Sequence, residues 1–312
     1  MEEGSAMKLI TMKEAIGRYV HDGDTIAIEG FTAFICFAAA HEIIRQQKKE
    51  LTLCRMTPDV IYDQMVAAGC ARKMVFSYLG NPGIGPLHCI RRAVEKGIPH
   101  PLELEEYTHF GMICRYMAGA SHLPFFPLKS YLGDGLPAVN PKIRFVESPY
   151  SAERIAVVPP LNPDLTIIHA QRADSNGNTQ SWGLLGVQKE AALSAKRVIV
   201  VVEEIVDETI IRSDPNRTIL PSLMVEAVVH QPFGTHPSYV QGYTDRDNEF
   251  YLEWDRISRE EQAARDWLDE WVYGVRDWEE YMGKMESKYP AIWKRLTAST
   301  APSSPVNYGR YA

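Results

Sequence analysis

Short apolar runs alternate with longer stretches in which apolar residues recur every third or fourth position, and this alternation sets the architecture. Thr25–Ile28, Leu51–Cys54, Met74–Tyr78, Leu102–Tyr107, Ile155–Val158, Leu165–Ala170, Val198–Val202 and Val225–Val229 read as strands, because they are too short for helices and rich in β-branched residues. Between them, helices are predicted over about 12–20, 33–47, 59–68, 87–96, 110–121 and 188–195. Thr11-Met12-Lys13-Glu14 has the form of a capping box for the first, and Thr108 is a plausible N-cap for the helix after the fourth strand. The runs Ile155–Val158, Leu165–Ala170 and Val198–Val202 are apolar throughout, as in strands buried on both faces of a parallel sheet. The fold class expected is therefore α/β, an open, mainly parallel sheet covered by helices, with a helical extension at the C-terminal end.

The pattern changes in two places. Residues 122–141 are loop-rich: Pro124 and Pro127 are incompatible with a regular helix or interior strand, and Gly133, Gly135, Pro137 and Pro141 follow. From Trp254 onward five of the six tryptophans lie among many charges. Trp267, Trp271, Val275, Trp278 and Met282 fit one helical face, an apolar stripe to be buried on its own chain or on a partner. The expected division is an α/β domain over 7–250, a helical extension over 251–296 and a flexible Ser-, Pro- and Gly-rich tail over 297–312. Met7 is an equally acceptable start, which leaves open whether 1–6 is native.

Candidate chemistry begins where the first strand ends. Gly30 lets the chain turn without a Cβ, and the crevice beyond the carboxyl ends of parallel strands is where open α/β sheets bind ligands, so Gly30, Phe31 and Thr32 are site candidates. An ordinary strand-to-helix turn is the alternative. Asn81-Pro82-Gly83-Ile84-Gly85-Pro86 also joins a strand to a helix, but it lacks the third glycine of a dinucleotide turn and its prolines lack amide hydrogens. Asp174-Ser175-Asn176-Gly177-Asn178 has the composition of a calcium loop with its glycine misplaced, and reads as a turn. The nine histidines form no metal-ligating motif and no Gly-x-Ser-x-Gly elbow is present, so no metal site and no serine nucleophile are expected. His109 stands between a strand end and a helix start, where it can receive an anionic or carbonyl group or simply cap the helix.

Composition narrows the class further. The 312 residues are 45% hydrophobic and 23% charged, ordinary for a globular chain, and the net charge of −7 argues against nucleic acid or anionic membranes as partners. Cys36, Cys54, Cys70, Cys89 and Cys114 are odd in number and never in Cys-x-x-Cys pairs, as in a protein of reduced thiols. With an acidic N-terminus and no apolar run near the roughly 20 residues of a spanning helix, a cytoplasmic protein is expected.

Several stretches taken in order, Thr25 to Thr32, Leu123-Pro124-Phe125-Phe126-Pro127, Ile167-Ile168-His169-Ala170-Gln171, Glu203-Glu204-Ile205 and Pro232 to Ser238, resemble the A (alpha) subunit of glutaconate CoA-transferase and its relatives among the class I CoA-transferases. The likeness runs from about Met7 to Met285. It implies an open α/β/α fold and an A–B hetero-oligomer whose B subunit supplies a catalytic glutamate. That residue takes the acyl group as an anhydride and then holds CoA as a thioester. Coenzyme A is then a substrate, no cofactor is permanently bound, and this chain carries no nucleophile; Glu29 aligns with the strand end before the Gly-Phe turn. The resemblance places Gly30, Phe31, Thr32, Ser77, Asn81, Gly83 and His109 on the acyl side of the site. Glutaconate enzymes carry a serine in the loop matching Ser77 to His88, thought to contact the substrate carboxylate, whereas this loop has none after Ser77, so glutaconate itself is not implied. His109 matches a position that is Gln in the transferase and a catalytic Glu in related steroid-ring-opening hydrolases. It therefore opens a second reading, a CoA-ester hydrolase, ring-opening enzyme or decarboxylase with His109 as acid or base. A third is a non-catalytic chain kept for assembly.

Overall fold

The computed structural model describes residues 8–298. The sheet grows from two strands, β1 (Thr25–Glu29) and β8 (Leu165–Ala173), which pair in parallel through Ile26–Glu29 and Leu165–Ile168. On the β1 side follow β2 (Leu51–Cys54), β3 (Ala71–Phe76) and β4 (Glu103–Glu106), each parallel to the last. On the β8 side follow β10 (Val198–Ile205) and β12 (Ala227–His230), also parallel. Chain order thus runs outward in both directions from the β1–β8 seam. A seam of this kind opens a crevice at its carboxyl end, because successive crossovers leave it toward opposite faces. Two short strands, β9 (Thr179–Gln180) and β11 (Thr218–Leu220), extend the far end of β8 in antiparallel fashion.

One face is covered by α1 (Met12–Tyr19), α2 (Phe37–Arg45), α3 (Val60–Ala67) and α4 (His88–Lys96). The other is covered by α5 (His109–Ala120), α7 (Gln188–Ser194) and a small antiparallel sheet of β5 (Phe126–Leu128), β7 (Arg154–Val158) and β6 (Arg144–Glu147). The short helices α6 (Leu136–Val139) and α8 (Glu208–Ser213) complete this part. Strand alternation divides the core: Ile26 and Ile28 pack with the first face and Ala27 with the second. The capping box at Thr11 and Glu14 and the Thr108 cap, which accepts from Gly111 N–H, are both present.

Two expectations are corrected. Ile155–Val158 lies at the centre of the small antiparallel sheet, between β5 and β6, outside the parallel one. An apolar run reports burial on both faces without reporting which sheet provides it. Pro127 fits in β5 because that strand is an edge. The tryptophan stripe is not one helix either. After α9 (Asn248–Ser258), α10 (Glu261–Leu268) passes into a π-helical turn, Asp269–Tyr273, and stops; α11 (Trp278–Lys288) begins afresh at Asp277, whose carboxylate accepts from Glu280 N–H. All five stripe residues are nevertheless buried, and on their own chain: His41 of α2 lies 6.0 Å from the Trp267 ring and 5.2 Å from that of Trp278. The last helix, α12 (Pro290–Ala298), overruns the expected start of the tail at 297; 299–312 and 1–7 lie outside the described residues.

Candidate active site

Beyond Ala27 and Cys54 the ladder between β1 and β2 ends, and side chains bridge the gap. Tyr62 OH accepts from Ile28 N–H at 3.1 Å and donates to the Cys54 carbonyl at 2.8 Å. Glu29, 1% exposed, accepts from Met56 N–H at 3.0 Å and from Tyr116 OH at 2.8 Å. Burial raises its pKa above the usual carboxylate range, against the lowering effect of Arg55 and these hydrogen bonds. Arg55, itself fully buried, donates to the Gly30 carbonyl at 2.9 Å and to Asp59 at 3.0 Å.

On this braced base the chain reverses through residues 30–34. A Cβ on Gly30 would stand 2.6 Å from the Ala33 carbonyl oxygen and 2.9 Å from Phe34 carbonyl atoms, so the glycine is needed for the chain's approach to itself. Thr32 and Phe34 both adopt left-handed backbone, φ 59° and 58°. A β-branched residue there costs about 1–3 kcal/mol and persists only where its surroundings impose it. They do: Ser238 Oγ donates to the Thr32 carbonyl at 2.8 Å, and Phe34 N–H donates to the Tyr239 carbonyl at 2.9 Å. Phe31, half-buried, packs against the backbone of Gly186 from the loop after β9.

The other candidates lie on neighbouring loops of the same carboxyl edge, and the structure separates them by exposure. Ser77, after β3, spends its hydroxyl on the Met56 carbonyl. Asn81 is 2% exposed and donates to the Tyr251 carbonyl of α9 at 2.9 Å, anchoring its loop. Gly83 is exposed with φ 76°. His109 is exposed as the first residue of α5, its ring 6.4 Å from that of the exposed Tyr78. Gly30, Phe31 and Thr32 thus lie at the seam itself, Tyr78 and His109 follow β3 and β4 further along the same edge, and Asn81 is tied to α9.

Sequence reasoning missed the supports of the turn: Arg55, Tyr62 and Tyr116 beneath it, and Ser238, Tyr239 and Gly186 beside it. The stretch Pro232 to Ser238 is marked by resemblance alone, and Gly186 stands in a glycine-bearing loop; both signals exist, but neither names its contact. Burial pushes the thiols of Cys36, Cys54 and Cys70 up to about 12, and all five cysteines are free and buried, so they are not poised as nucleophiles.

Gly30 and its buried neighbour Glu29 thus stand where the parallel strands β1 and β8 meet at the carboxyl edge of an open sheet, the place where sheets of this class bind ligands. The chain belongs to the coenzyme A transferase family, whose model, described as Coenzyme A transferase, matches residues 9–231. Over 278 residues it is 53% identical to the A subunit of 3-oxoadipate CoA-transferase from Pseudomonas knackmussii strain B13, covering 89% of this chain and 98% of that one. It is 32% identical to the A subunit of glutaconate CoA-transferase from Acidaminococcus fermentans, over 89% of this chain and 92% of that one. The crystal structure of that glutaconate enzyme superposes with a TM-score of 0.87 at 31% identity, covering 93% of this chain and 95% of the other. The chain is accordingly an A-type class I CoA-transferase chain, with coenzyme A as a substrate of its chemistry.

Proposed function

We propose that this chain is the A subunit of a cytoplasmic heteromeric CoA-transferase that moves CoA between dicarboxylic acids, with a 3-oxo six-carbon diacid as the preferred acceptor and no permanently bound cofactor. The observation that carries the reading is the state of Glu29: the carboxylate nearest the turn is buried and taken up by hydrogen bonds from Met56 N–H and Tyr116 OH, so the acyl-accepting carboxylate comes from a B subunit on the far side of the crevice. This chain's part is to hold and orient. The Gly30–Phe31–Thr32 turn presents rigid backbone to the acyl group, and its amides are suited to an oxyanion as the thioester carbonyl is attacked. His109, with Ser77 and Gly83, borders the acyl side. The substrate assignment draws on the identity to the 3-oxoadipate enzyme's chain over nearly its whole length.

Steady-state kinetics of the assembled enzyme test both parts. With succinyl-CoA as donor, kcat/KM is expected to be highest for 3-oxoadipate, below it for glutaconate, and lowest for monocarboxylates. His109→Ala is expected to raise the acceptor KM by less than about tenfold with kcat little changed, as for a residue that binds without moving a proton. Near-complete loss of kcat in His109→Ala would instead make His109 an acid or base and favour hydrolysis, ring opening or decarboxylation.

A further inference from the structure

Beside the β1–β8 seam the sheet carries a buried pair of ionisable side chains that neither core packing nor the direct supports of the turn account for. His169 and Glu203 continue the rows of Ile167 on β8 and Val201 on β10, which pack toward α1 to α4. His169 follows Ile168, the residue of β8 that pairs with Glu29. The two side chains are 0% and 2% exposed, and His169 Nε2 stands 2.7 Å from Glu203 Oε1. The other ring nitrogen, Nδ1, is buried with no hydrogen-bond partner among the described residues. An apolar residue would serve packing better here, because an unpaired buried polar atom costs free energy.

Glu203 gives its second oxygen to the loop after β12. Oε2 accepts from Phe233 N–H at 2.8 Å, and Phe233 stands in left-handed backbone at φ 57°. The Phe233 carbonyl accepts from His236 N–H at 3.1 Å and from Trp278 Nε1–H at 3.2 Å, so this strained residue is held at both ends. Gly234 lies against the imidazole: a Cβ there would stand 3.1 Å from His169 Cε1. From this point the loop reaches the site. The Gly234 carbonyl accepts from Ala38 N–H at 2.9 Å in the first turn of α2, while Ser238 and Tyr239 hold Thr32 and Phe34. Arg55 therefore ties the turn to the core from below, and the 233–239 loop ties it to His169 and Glu203 from the side.

We infer that Glu203 and His169 are the positioning pair of the transfer reaction: by fixing Phe233 they hold the 233–239 loop, and through Gly234, Ser238 and Tyr239 they set where the 30–34 turn meets the acyl group. This assignment rests on the reading that the turn holds the acyl group. Both side chains are sealed beneath the loop and touch no substrate. Their effect falls on the placement of the turn's amides as charge develops on the thioester oxygen, where small displacements are costly.

The test compares Glu203→Ala and Glu203→Gln in the assembled enzyme with a control, Asp63→Asn. Asp63 is also a buried carboxylate, but it accepts from Ile90 N–H and Trp254 Nε1–H among the helices of the first face. Glu203→Ala is expected to speed hydrogen exchange at the Phe34 and Ala38 amides by about tenfold or more and to lower kcat about as much, with the acyl-CoA KM within about threefold of wild type. Glu203→Gln keeps an oxygen for Phe233 N–H and is expected to restore most of kcat. Asp63→Asn is expected to keep the wild-type kcat even where its melting temperature falls as far. If Glu203→Ala does not assemble, His169→Phe takes its place with the same expected division between kcat and KM. Wild-type kcat in the variant that assembles, a raised KM at unchanged kcat, or an equal loss of kcat in Asp63→Asn overturns the positioning role. A wild-type enzyme that moves no CoA between acids defeats the functional reading instead, and unchanged exchange at Phe34 and Ala38 then still overturns the link through the loop.

Discussion

Gly30 concentrates the physics of the site in one residue. Its lack of a Cβ lets the backbone double back to within contact of Ala33 and Phe34, and that reversal drives Thr32 and Phe34 into left-handed conformations. A methyl group at this position has rigid backbone on its open side. Gly30→Ala is therefore expected to destabilise the chain by about 3 kcal/mol, read as a lowered denaturant midpoint at unchanged slope. An unchanged midpoint would show that the turn relaxes freely. The glycine was legible in the sequence because it follows a β-branched run. The supports of its turn were not, since Arg55, which bonds Gly30, Tyr116, which bonds Glu29, and Ser238, which bonds Thr32, are separated from it by 25, 86 and 208 positions along the chain. Nothing in local pattern connects positions so far apart. Asn81 shows the opposite error of scale: its loop looks ligand-like in sequence, but the side chain is committed to Tyr251 on a helix no local motif mentions.

At the scale of elements, the edge between β4 and α5 is held by a charge cluster. Glu105 accepts from Arg115, Lys142 and Tyr107, and pairs with Lys73 at 2.7 Å. Burial alone would raise its pKa; the hydrogen bonds from Lys142 and Lys73 and the charge of Arg115 outweigh it and bring it to about 2. The folded state thus holds this carboxylate ionised at lower pH than the unfolded chain does. Its contribution is complete above the ordinary value of 4.5 and is lost as pH falls toward about 2. Glu105→Gln is expected to cost about 2 kcal/mol at neutral pH, less than a fully enclosed pair because Lys142 is half-exposed. The difference from wild type should shrink below pH 4.5 in urea titrations. A constant difference across that range would mean the charges contribute nothing specific. Elements were largely legible because strand and helix periods differ, and the misreadings share one cause. Apolar spacing continues across the break at Asp277 and across the change of sheet at β7, so periodicity records burial while hydrogen bonding decides the element.

Across the whole molecule, the two faces have different fates. The first closes on itself, with the aromatic residues of α9 to α11 packed around His41 and against α2 and α3. The second leaves Phe110 and Met117 of α5 exposed. On the function proposed above, this chain is half of a site and a B chain supplies the other half. The intact mass of every chain after incubation of the native complex with an acyl-CoA tests this division most directly. A CoA-sized adduct is expected on a second chain, with this chain unmodified. A CoA adduct on this chain, or free CoA released with no adduct on either, would contradict it.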